Sequence, residues 1–372
     1  MLIRCDAAPE IGFGHVVRCL ALADELRDSH ACRVDFAMLQ GPQGVAQVQA
    51  QGYGVYQPSQ GIKYLDEGAW LQDLISKCQH QVLILDVRTD LATEAVQSMR
   101  ESGVLVVTID DPSDRRLHAD LAFYPPVPQV ERMDWSGFTG QCYVGWDWVL
   151  LRPQFAEAAR RARARGSEST AGSQRHDKKL TILVTMGGSD PAGLTLMAID
   201  AIEQLRGDMR VMLVLGPGFM HQAVLVKRLA VAEQNYEIHN NVSDIASIMI
   251  RADVAIASFG VTAFELATCK VPSIYLSLTA DHEISASVFD SMEFGLSLGI
   301  WTGVSVDELA QALMVLIYDF RQCKKSKLYA SHPDGLGVKR CSAVIVDASE
   351  KQLNGPLKND KDKVEAVRHA EP

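Results

Sequence analysis

The chain has 372 residues, of which 47% are hydrophobic and 22% charged, and its formal net charge is −10. This composition indicates an ordinary soluble globular protein that is long enough for two domains. The negative charge argues against a nucleic-acid partner, whose phosphates it would repel. No apolar run reaches the ~18 residues of a membrane span, and the chain opens into a predicted strand with no signal-peptide pattern. We therefore expect a cytoplasmic protein without stable membrane insertion.

Cysteine and histidine spacing gives no indication of a metal site. Eight cysteines are scattered along the chain with no C-x-x-C pair, and no two histidines stand at zinc-ligand spacing. We expect reduced, mostly buried thiols, no structural metal and no cofactor.

In the first half, short β-rich runs alternate with stretches of helical period. The predicted strands cover 2–5, 33–38, 82–85, 104–109 and 121–123, and the predicted helices cover 15–29, 43–51, 66–78 and 92–102. Such alternation is typical of parallel strands joined by crossover helices. We assign residues 1–157 to an N-terminal domain.

A charged and then polar stretch interrupts this rhythm at 158–179. It contains Arg160, Arg161, Arg163 and Arg165, followed by small polar residues without an apolar period. The pattern predicts a helix end and an exposed linker or loop. The arginines are the candidate basic face for a membrane-bound acceptor, but the pattern favours a solvated helix face.

The alternation restarts in the second half. Strands are predicted at 180–185, 210–215, 236–239, 254–257 and 273–275, and helices near 191–205, 219–233, 243–251, 261–269, 282–293 and 305–320. We assign 180–350 to a C-terminal domain and read 351–372 as a disordered tail. The fold class is therefore α/β, with two doubly wound Rossmann-like domains facing a cleft that their strand-to-helix loops line.

The first strand-to-helix junction carries the strongest functional signal. Gly12 and Gly14 permit close approach of the backbone, and His15 starts a helix whose unpaired N–H groups suit an anion. With an unperturbed pKa of about 6.5, a histidine here is a usable general base. The structural alternative is a tight turn with a packing histidine.

Two loops of the second half show similar chemistry. Gly187 and Gly188 expose backbone N–H groups, and Ser189 and Asp190 are able to cap the following helix or bond a ligand. The structural alternative is again a capped turn. Downstream, Ser258, Gly260 and Thr262 offer donors to a diphosphate, and Glu265 is placed to accept hydrogen bonds from both hydroxyls of a ribose. His282 is a further candidate for substrate binding, although a histidine at a helix start is more often a cap.

These motifs carry a family resemblance over residues 1 to about 345. The second-half pattern resembles the nucleotide-binding half of type B glycosyltransferases, particularly the UDP-GlcNAc transferase that makes lipid II. With the stretch from Arg4 to Leu20, Asp110–Asp111, 151–155 and 187–190, the whole chain is similar to a family that contains UDP-2,4-diacetamido-2,4,6-trideoxy-beta-L-altropyranose hydrolase, of pseudaminic acid biosynthesis, and spore-coat polysaccharide proteins. The resemblance implies the glycosyltransferase-B fold.

The resemblance also implies roles for individual residues. UDP would lie against the second half, while His15 would deprotonate a water that attacks the sugar-phosphate carbon, or would assist the departing group. Asp6 and Arg18 flank the same loop and would orient the sugar or the histidine. Further substrate-binding positions are Arg88, Asp110 and Arg152. The implied partners are a UDP-sugar substrate and enzymes of the same pathway.

Two departures from the family pattern concern the sugar. Asp86 is followed by Val87 and Arg88 where the family has Asp, then His or Ser, then Tyr, and Phe264 stands where the family can carry Asn. Three functions stay open: a UDP-sugar hydrolase, a glycosyltransferase for surface polysaccharide, and a nucleotide-sugar binding protein without catalysis. The fold does not separate them.

Overall fold

Two parallel β-sheets organise the chain, as the alternation of strands and helices predicts. The structure is a computed structural model and describes residues 1–7, 12–59, 65–168, 179–240, 242–291, 294–322 and 333–354. Both sheets have the strand order of a doubly wound fold, in which the order reverses beside the first strand.

The first sheet has seven strands in the order β3-β2-β1-β4-β5-β6-β7. They are β1 (Leu2–Cys5), β2 (Asp35–Ala37), β3 (Gly54–Tyr56), β4 (Val82–Asp86), β5 (Leu105–Ile109), β6 (Leu121–Tyr124) and β7 (Gln141–Val144). The helices of this half are α1 (Gly14–His30), α2 (Pro42–Ala50), α3 (Glu67–Cys78), α4 (Thr93–Glu101) and α5 (Gln129–Arg132). All five predicted strands are present. The sequence pattern does not predict β3 and β7.

The second sheet has six strands in the order β10-β9-β8-β11-β12-β13. They are β8 (Leu180–Thr185), β9 (Met209–Leu215), β10 (Asn235–Asn240), β11 (Val254–Ser258), β12 (Ser273–Ser277) and β13 (Gly295–Ile300). The remaining helices are α6 (Gln154–Glu168), α7 (Leu194–Glu203), α8 (Gln222–Leu229), α9 (Ile245–Met249), α10 (Val261–Thr268), α11 (Ala280–Ser291), α12 (Val306–Arg321) and α13 (Gly337–Asn354). The sequence pattern predicts the other five strands of this half but not β13.

Helices cover both faces of each sheet, which explains why the central strands are buried and mostly apolar. In the first half, Ile3 faces α1 and α13, while Leu2 faces the side of α3 and α4. In the second half, Leu183 packs with α9 and α10, and Ile182 packs with α7 and α12. Each sheet is therefore the middle layer of three.

Two helices pack outside the half to which their sequence position assigns them. Phe155 of α6 is buried in the core of the second half, and Ile345 of α13 is buried against the first half beside α1. The crossing segments touch, since a methyl group on Gly337 would lie 2.1 Å from the Val149 carbonyl oxygen. A side chain at position 337 would force the segments apart.

This exchange changes the predicted boundaries. The predicted linker at 158–179 is helical as far as Glu168, and 169–178 lie outside the described residues. The last helix continues to Asn354, so 351–354 are not part of a tail, and 355–372 lie outside the described residues. Residues 337–350, predicted to belong to the second domain, pack against the first sheet.

The described cysteines are free thiols, and Cys5, Cys19, Cys269 and Cys341 are buried. Cys323 lies outside the described residues. None of the helices in the described ranges is long and apolar enough to cross a bilayer.

The carboxyl ends of the two sets of strands face each other. Phe13, just before α1, contacts Gly188 of the β8–α7 loop, and a methyl group on Gly14 would lie 3.3 Å from Cγ2 of Val261. We call the space between the loops after β1, β4 and β5 and the loops after β8, β11 and β12 the cleft. Each set surrounds the point where its strand order reverses, which is where open parallel sheets bind ligands.

Candidate active site in the cleft

His15 lies at the start of α1 and is held by a carboxylate from the neighbouring strand. Its Nδ1 is 2.6 Å from Oδ1 of Asp86, the last residue of β4, which is 1% exposed. A carboxylate only accepts hydrogen bonds, so Nδ1 carries the proton and Nε2 keeps its lone pair. An imidazole oriented in this way is equipped to take a proton from water or a hydroxyl.

Arg18 and Cys19 complete the surroundings of Asp86. Arg18 donates from Nε to Oδ2 and from Nη2 to Oδ1, both at 2.6 Å, and the Cys19 thiol donates to Oδ2 at 3.3 Å. Burial alone would raise the pKa of Asp86, but the charges and hydrogen bonds of Arg18 and His15 hold that pKa well below its usual range. Asp86 is therefore a fixed negative charge behind the histidine.

Arg88 and Asp110 extend this network along the cleft. Asp110 follows β5 with a positive φ of 52°, a conformation that costs energy for a residue with a side chain. Its Oδ2 accepts from Arg88 Nη2 at 3.1 Å and from Arg18 Nη1 at 3.3 Å, and its carbonyl accepts from Arg88 Nη1. The two predicted substrate-binding residues thus lie together, next to the His15 network.

Asp6 has a different position from the one expected of a residue that orients His15. Its Oδ1 accepts from the backbone N–H groups of Leu39 and Gln40 at 2.7 and 3.0 Å, and its Oδ2 lies 2.7 Å from Arg4 Nη2. Asp6 therefore fastens the loop after β2 to β1. These contacts occupy both oxygens, and the proposed orienting role passes to Asp86.

The glycine loop after β8 lies against the first half, but its helix is already capped. Gly187 has a φ of 73°, and the Asp190 carboxylate accepts from the N–H groups of Leu194 and Thr195 at 2.7 and 2.9 Å. Asp190 thus caps the N-terminus of α7, as the capped-turn alternative predicts, and these two N–H groups are not available to an anion. A phosphate here would have to use the loop backbone and Ser189, which is buried in that loop.

The N-termini of α1 and α10 face one another, and no described side chain caps either of them, so both are available to an anion. The cap residues Phe13 and Gly260 make no side-chain capping bond, and neither helix has an acidic residue in its first turn. Unpaired N–H groups at such termini attract negative charge. Gly12, with a φ of 77°, precedes α1. On the opposite side, Thr262 is half-buried in the first turn of α10, and buried Ser258 lies close to Gly187.

Glu265 is buried one turn further along α10. Its Oε1 accepts from Arg152 Nη2 at 3.2 Å, and Arg152 Nη1 donates to the Ser243 carbonyl at 3.2 Å. Burial raises the pKa of Glu265, and the Arg152 guanidinium opposes that rise. Arg152, from the segment that crosses between the halves, thus holds one carboxylate oxygen of the predicted ribose-binding residue.

His282 lies on the first turn of α11, at the far end of the cleft. Its ring centroid is 6.1 Å from that of Phe259, which precedes Gly260. The backbone N–H of His282 donates to the Thr279 hydroxyl at 3.2 Å, so Thr279 supplies the cap that had been the alternative role for this histidine.

The structure therefore brings most predicted positions to one cleft and adds Asp86, which the sequence had not singled out as a site residue. Two signals point to it: Asp86 ends a strand that is otherwise apolar, and it stands where the family pattern has an aspartate. No three His, Cys, Asp or Glu side chains in the described ranges are arranged to hold a metal ion.

Comparison with known sequences relates the chain to proteins of sugar metabolism. It is 24% identical over 356 residues to the spore coat polysaccharide biosynthesis protein SpsG of Bacillus subtilis (strain 168), covering 94% of this chain and 99% of that protein. It is 27% identical over 199 residues to the UDP-2,4-diacetamido-2,4,6-trideoxy-beta-L-altropyranose hydrolase of Campylobacter jejuni, covering 53% and 63%. No protein-family model matches. These similarities support the general group without selecting one member.

Solved structures show the same architecture. MurG of Acinetobacter baumannii matches with a TM-score of 0.66 at 16% identity, over 94% of this chain and 99% of that one. The Staphylococcus aureus MnaA–UDP co-structure matches with a TM-score of 0.61 at 14% identity, over 95% and 96%. The Neisseria meningitidis UDP-GlcNAc 2-epimerase bound to UDP-GlcNAc matches with a TM-score of 0.60 at 9% identity, over 93% and 99%. The expected glycosyltransferase-B fold is confirmed.

Proposed function

We propose that this protein is an enzyme that binds a UDP-linked sugar in the cleft and releases UDP by transferring the sugar to water. The observation that carries the proposal is the pairing of His15 with Asp86, directly opposite the open N-terminus of α10. A base and an anion site thus face each other across a space bounded by both halves. Relatives named for UDP-sugar hydrolysis and polysaccharide biosynthesis support the same choice.

In this proposal UDP lies against the second half. Glu265 accepts hydrogen bonds from the ribose hydroxyls with the oxygen that Arg152 leaves free. The diphosphate lies between the termini of α1 and α10 and is contacted by Gly187, Gly188, Ser189, Ser258, Gly260 and Thr262. Solved structures of the same fold that are named with bound UDP or UDP-GlcNAc support a UDP-linked substrate.

The chemical step needs no group beyond those of the cleft. His15 Nε2 takes a proton from water while the water oxygen forms a bond to the anomeric carbon. The bond between that carbon and the β-phosphate oxygen breaks, and its electron pair leaves with UDP. Proton transfer of this kind contributes roughly 10² to 10⁴-fold to a rate.

Glycosyl transfer is the second candidate, because a sugar or lipid hydroxyl is able to replace water at the same base. The MurG likeness favours it only at the level of the fold. Either reaction would serve a surface-polysaccharide or nonulosonic acid pathway, with the free deoxy-acetamido sugar as the product of hydrolysis. We propose a cytoplasmic setting among other enzymes of such a pathway.

The test is UDP release from a panel of UDP-linked acetamido sugars, with and without added acceptor fractions. Hydrolysis predicts release by the wild type without acceptor and a loss of about 10² to 10⁴-fold in the His15→Ala variant. Release that starts only with acceptor would establish transfer instead. Equal release by wild type and variant would overturn His15 as the base.

His118→Ala is the matched control. His118 ends the turn just before β6, at the amino edge of the first sheet and so opposite to the cleft. This variant removes one imidazole from the same half and should keep wild-type activity. UDP affinity without turnover of any sugar in the panel would favour a nucleotide-sugar binding protein.

A further inference from the structure

The first turn of α11 is fastened to the opposite half of the molecule. Gln129, at the start of α5, donates from Nε2 to the carbonyl and to Oδ1 of Asp281, both at 3.0 Å, and to the Ser285 hydroxyl at 2.6 Å. Asp281 and Ser285 are one turn apart on α11, so one amide spans the beginning of this helix. This clamp fixes how the second half closes the far end of the cleft.

His282 lies between the two residues that Gln129 holds, and its ring packs near Phe259. The Nδ1 atom is buried and has no hydrogen-bond partner among the described residues. Burial of a polar atom without a partner destabilises the folded protein, so such an atom is expected to serve a ligand. Because Thr279 caps the helix, the imidazole itself has no capping duty.

The groups that face His282 come from both halves. Burial lowers the pKa of His282; Asp281 on its own helix and Asp110 oppose that change, whereas Arg88 adds to it. Arg88 and Asp110 follow β4 and β5, so the imidazole lies across the cleft from them. It is therefore neutral at pH 7 and able to accept a hydrogen bond at Nδ1.

We propose that His282 and Arg88 form the specificity element for the sugar, with His282 Nδ1 accepting from a ring hydroxyl or amide N–H and Arg88 donating to a neighbouring sugar oxygen. This inference rests on the proposed function, since it assumes that the UDP-linked sugar occupies this end of the cleft. Each terminal nitrogen of Arg88 bonds Asp110 once and keeps a second hydrogen for a ligand. The ligand class is a UDP-hexose with a hydrogen-bonding ring substituent.

The test is calorimetric binding of UDP, of UDP-N-acetylglucosamine and of its 3-deoxy, 4-deoxy and 6-deoxy analogues. A site that hydrogen-bonds a substituent strongly rejects an analogue that lacks it. We expect the wild type to bind one deoxy analogue at least about 10-fold more weakly than the parent, because that loss leaves Nδ1 unpaired. In the His282→Leu variant this ratio should fall to about one, while the affinity for UDP is unchanged.

His282→Asn keeps a polar group near the position of Nδ1 and should recover part of the discrimination. In the wild type we expect sugar binding to weaken at acid pH, because a protonated imidazole no longer accepts a hydrogen bond. The His282→Asn variant should not show this weakening. Ser287→Ala, on the exposed side of α11, is the matched control.

The outcomes separate the two proposals. UDP binding combined with the same ratios in wild type, His282→Leu and His282→Asn would overturn the role of His282 and leave the nucleotide site standing. Equal affinity of the wild type for UDP-N-acetylglucosamine and its three deoxy analogues would also overturn the role of His282. Failure of the wild type to bind UDP at all would overturn the proposed function itself.

Discussion

At the scale of single residues, Asp86 matters most, because one carboxylate holds the orientation of His15 and the charge of Arg18. We predict that Asp86→Asn lowers kcat by about 10² to 10⁴-fold, since an amide no longer fixes the proton on Nδ1. UDP affinity should stay near that of the wild type, because the nucleotide lies against the other half. UDP release and calorimetry measure the two effects.

Folding is the necessary control, since Asp86→Asn removes a buried charge. Arg18 then loses the nearer of its two ionic partners and keeps only Asp110 at 3.3 Å, and loss of one member of a buried pair costs up to about 3 to 5 kcal/mol. Circular dichroism and urea unfolding should show a folded but weakened protein. Asp73→Asn, which breaks an exposed pair with Lys77, should change neither activity nor stability. A folded Asp86→Asn protein with wild-type kcat would refute the dyad.

Burial of His80 makes the free energy of unfolding depend on pH. His80 is buried next to Asp35, and burial together with the Met1 amine and Arg33 lowers its pKa from 6.5 to about 4, although Asp35 opposes the change. In the unfolded chain a histidine binds a proton below about pH 6.5, whereas folded His80 binds one only near pH 4. Protons thus favour unfolding, and stability should fall as the pH drops through this window.

The expected loss from His80 is about 3 kcal/mol between pH 7 and pH 4, because one pKa unit corresponds to 1.36 kcal/mol. Urea unfolding at several pH values measures it. The His80→Gln variant should show a flatter profile than the wild type between pH 6.5 and 4. Parallel profiles for the two proteins would contradict the prediction.

At the scale of elements, Asp190 caps α7, so two N–H groups at the start of this helix are not available to a ligand. Its two carboxylate oxygens bond the first turn of α7, and we predict that Asp190→Ala lowers the free energy of unfolding by about 1 to 2 kcal/mol. Asp190→Asn should lose less, because its amide oxygen still accepts one of these bonds. Urea unfolding tests both, and an unchanged stability of Asp190→Ala would argue against the cap.

The elements that the sequence predicts are those with a strong local signal. β4 and β8 are mostly apolar and buried at every position because helices cover both of their faces. β3 has three residues and is partly exposed, β7 is mostly exposed, and β13 is bounded by glycine, so their apolar pattern is weak. The same limit applies to the site, since His15 and Asp86 are 71 positions apart and only the sheet brings them together.

At the scale of the whole molecule, the exchange of α6 and α13 could not be predicted from local pattern. Both helices have a clear amphipathic period, but nothing in that period specifies which sheet covers it. The structure explains why position 337 is a glycine, because the two crossing segments come into close contact with each other at this residue.

Closure of the cleft depends on another glycine contact, between Phe13 and Gly188. A methyl group on Gly188 would lie 2.8 Å from Cδ2 of Phe13, closer than side-chain carbons approach. The φ of Gly188 is not positive, so alanine suits the backbone and the consequence is steric. The Phe13 ring belongs to the first half and Gly188 to the loop after β8, so relief of the clash would move the halves apart.

We predict that Gly188→Ala weakens the binding of a UDP-sugar by about 10-fold, because overpacking costs about 1 to 3 kcal/mol and tenfold affinity corresponds to 1.4 kcal/mol. Calorimetry with UDP-N-acetylglucosamine measures the change. If the clash with Phe13 is the cause, Gly188→Ala should cost much less when it is introduced into the Phe13→Ala variant, so the two substitutions form a double-mutant cycle. Small-angle scattering should show a more open molecule for Gly188→Ala alone. Equal costs in both backgrounds would mean that the loss arises within the β8–α7 loop and not from closure of the halves.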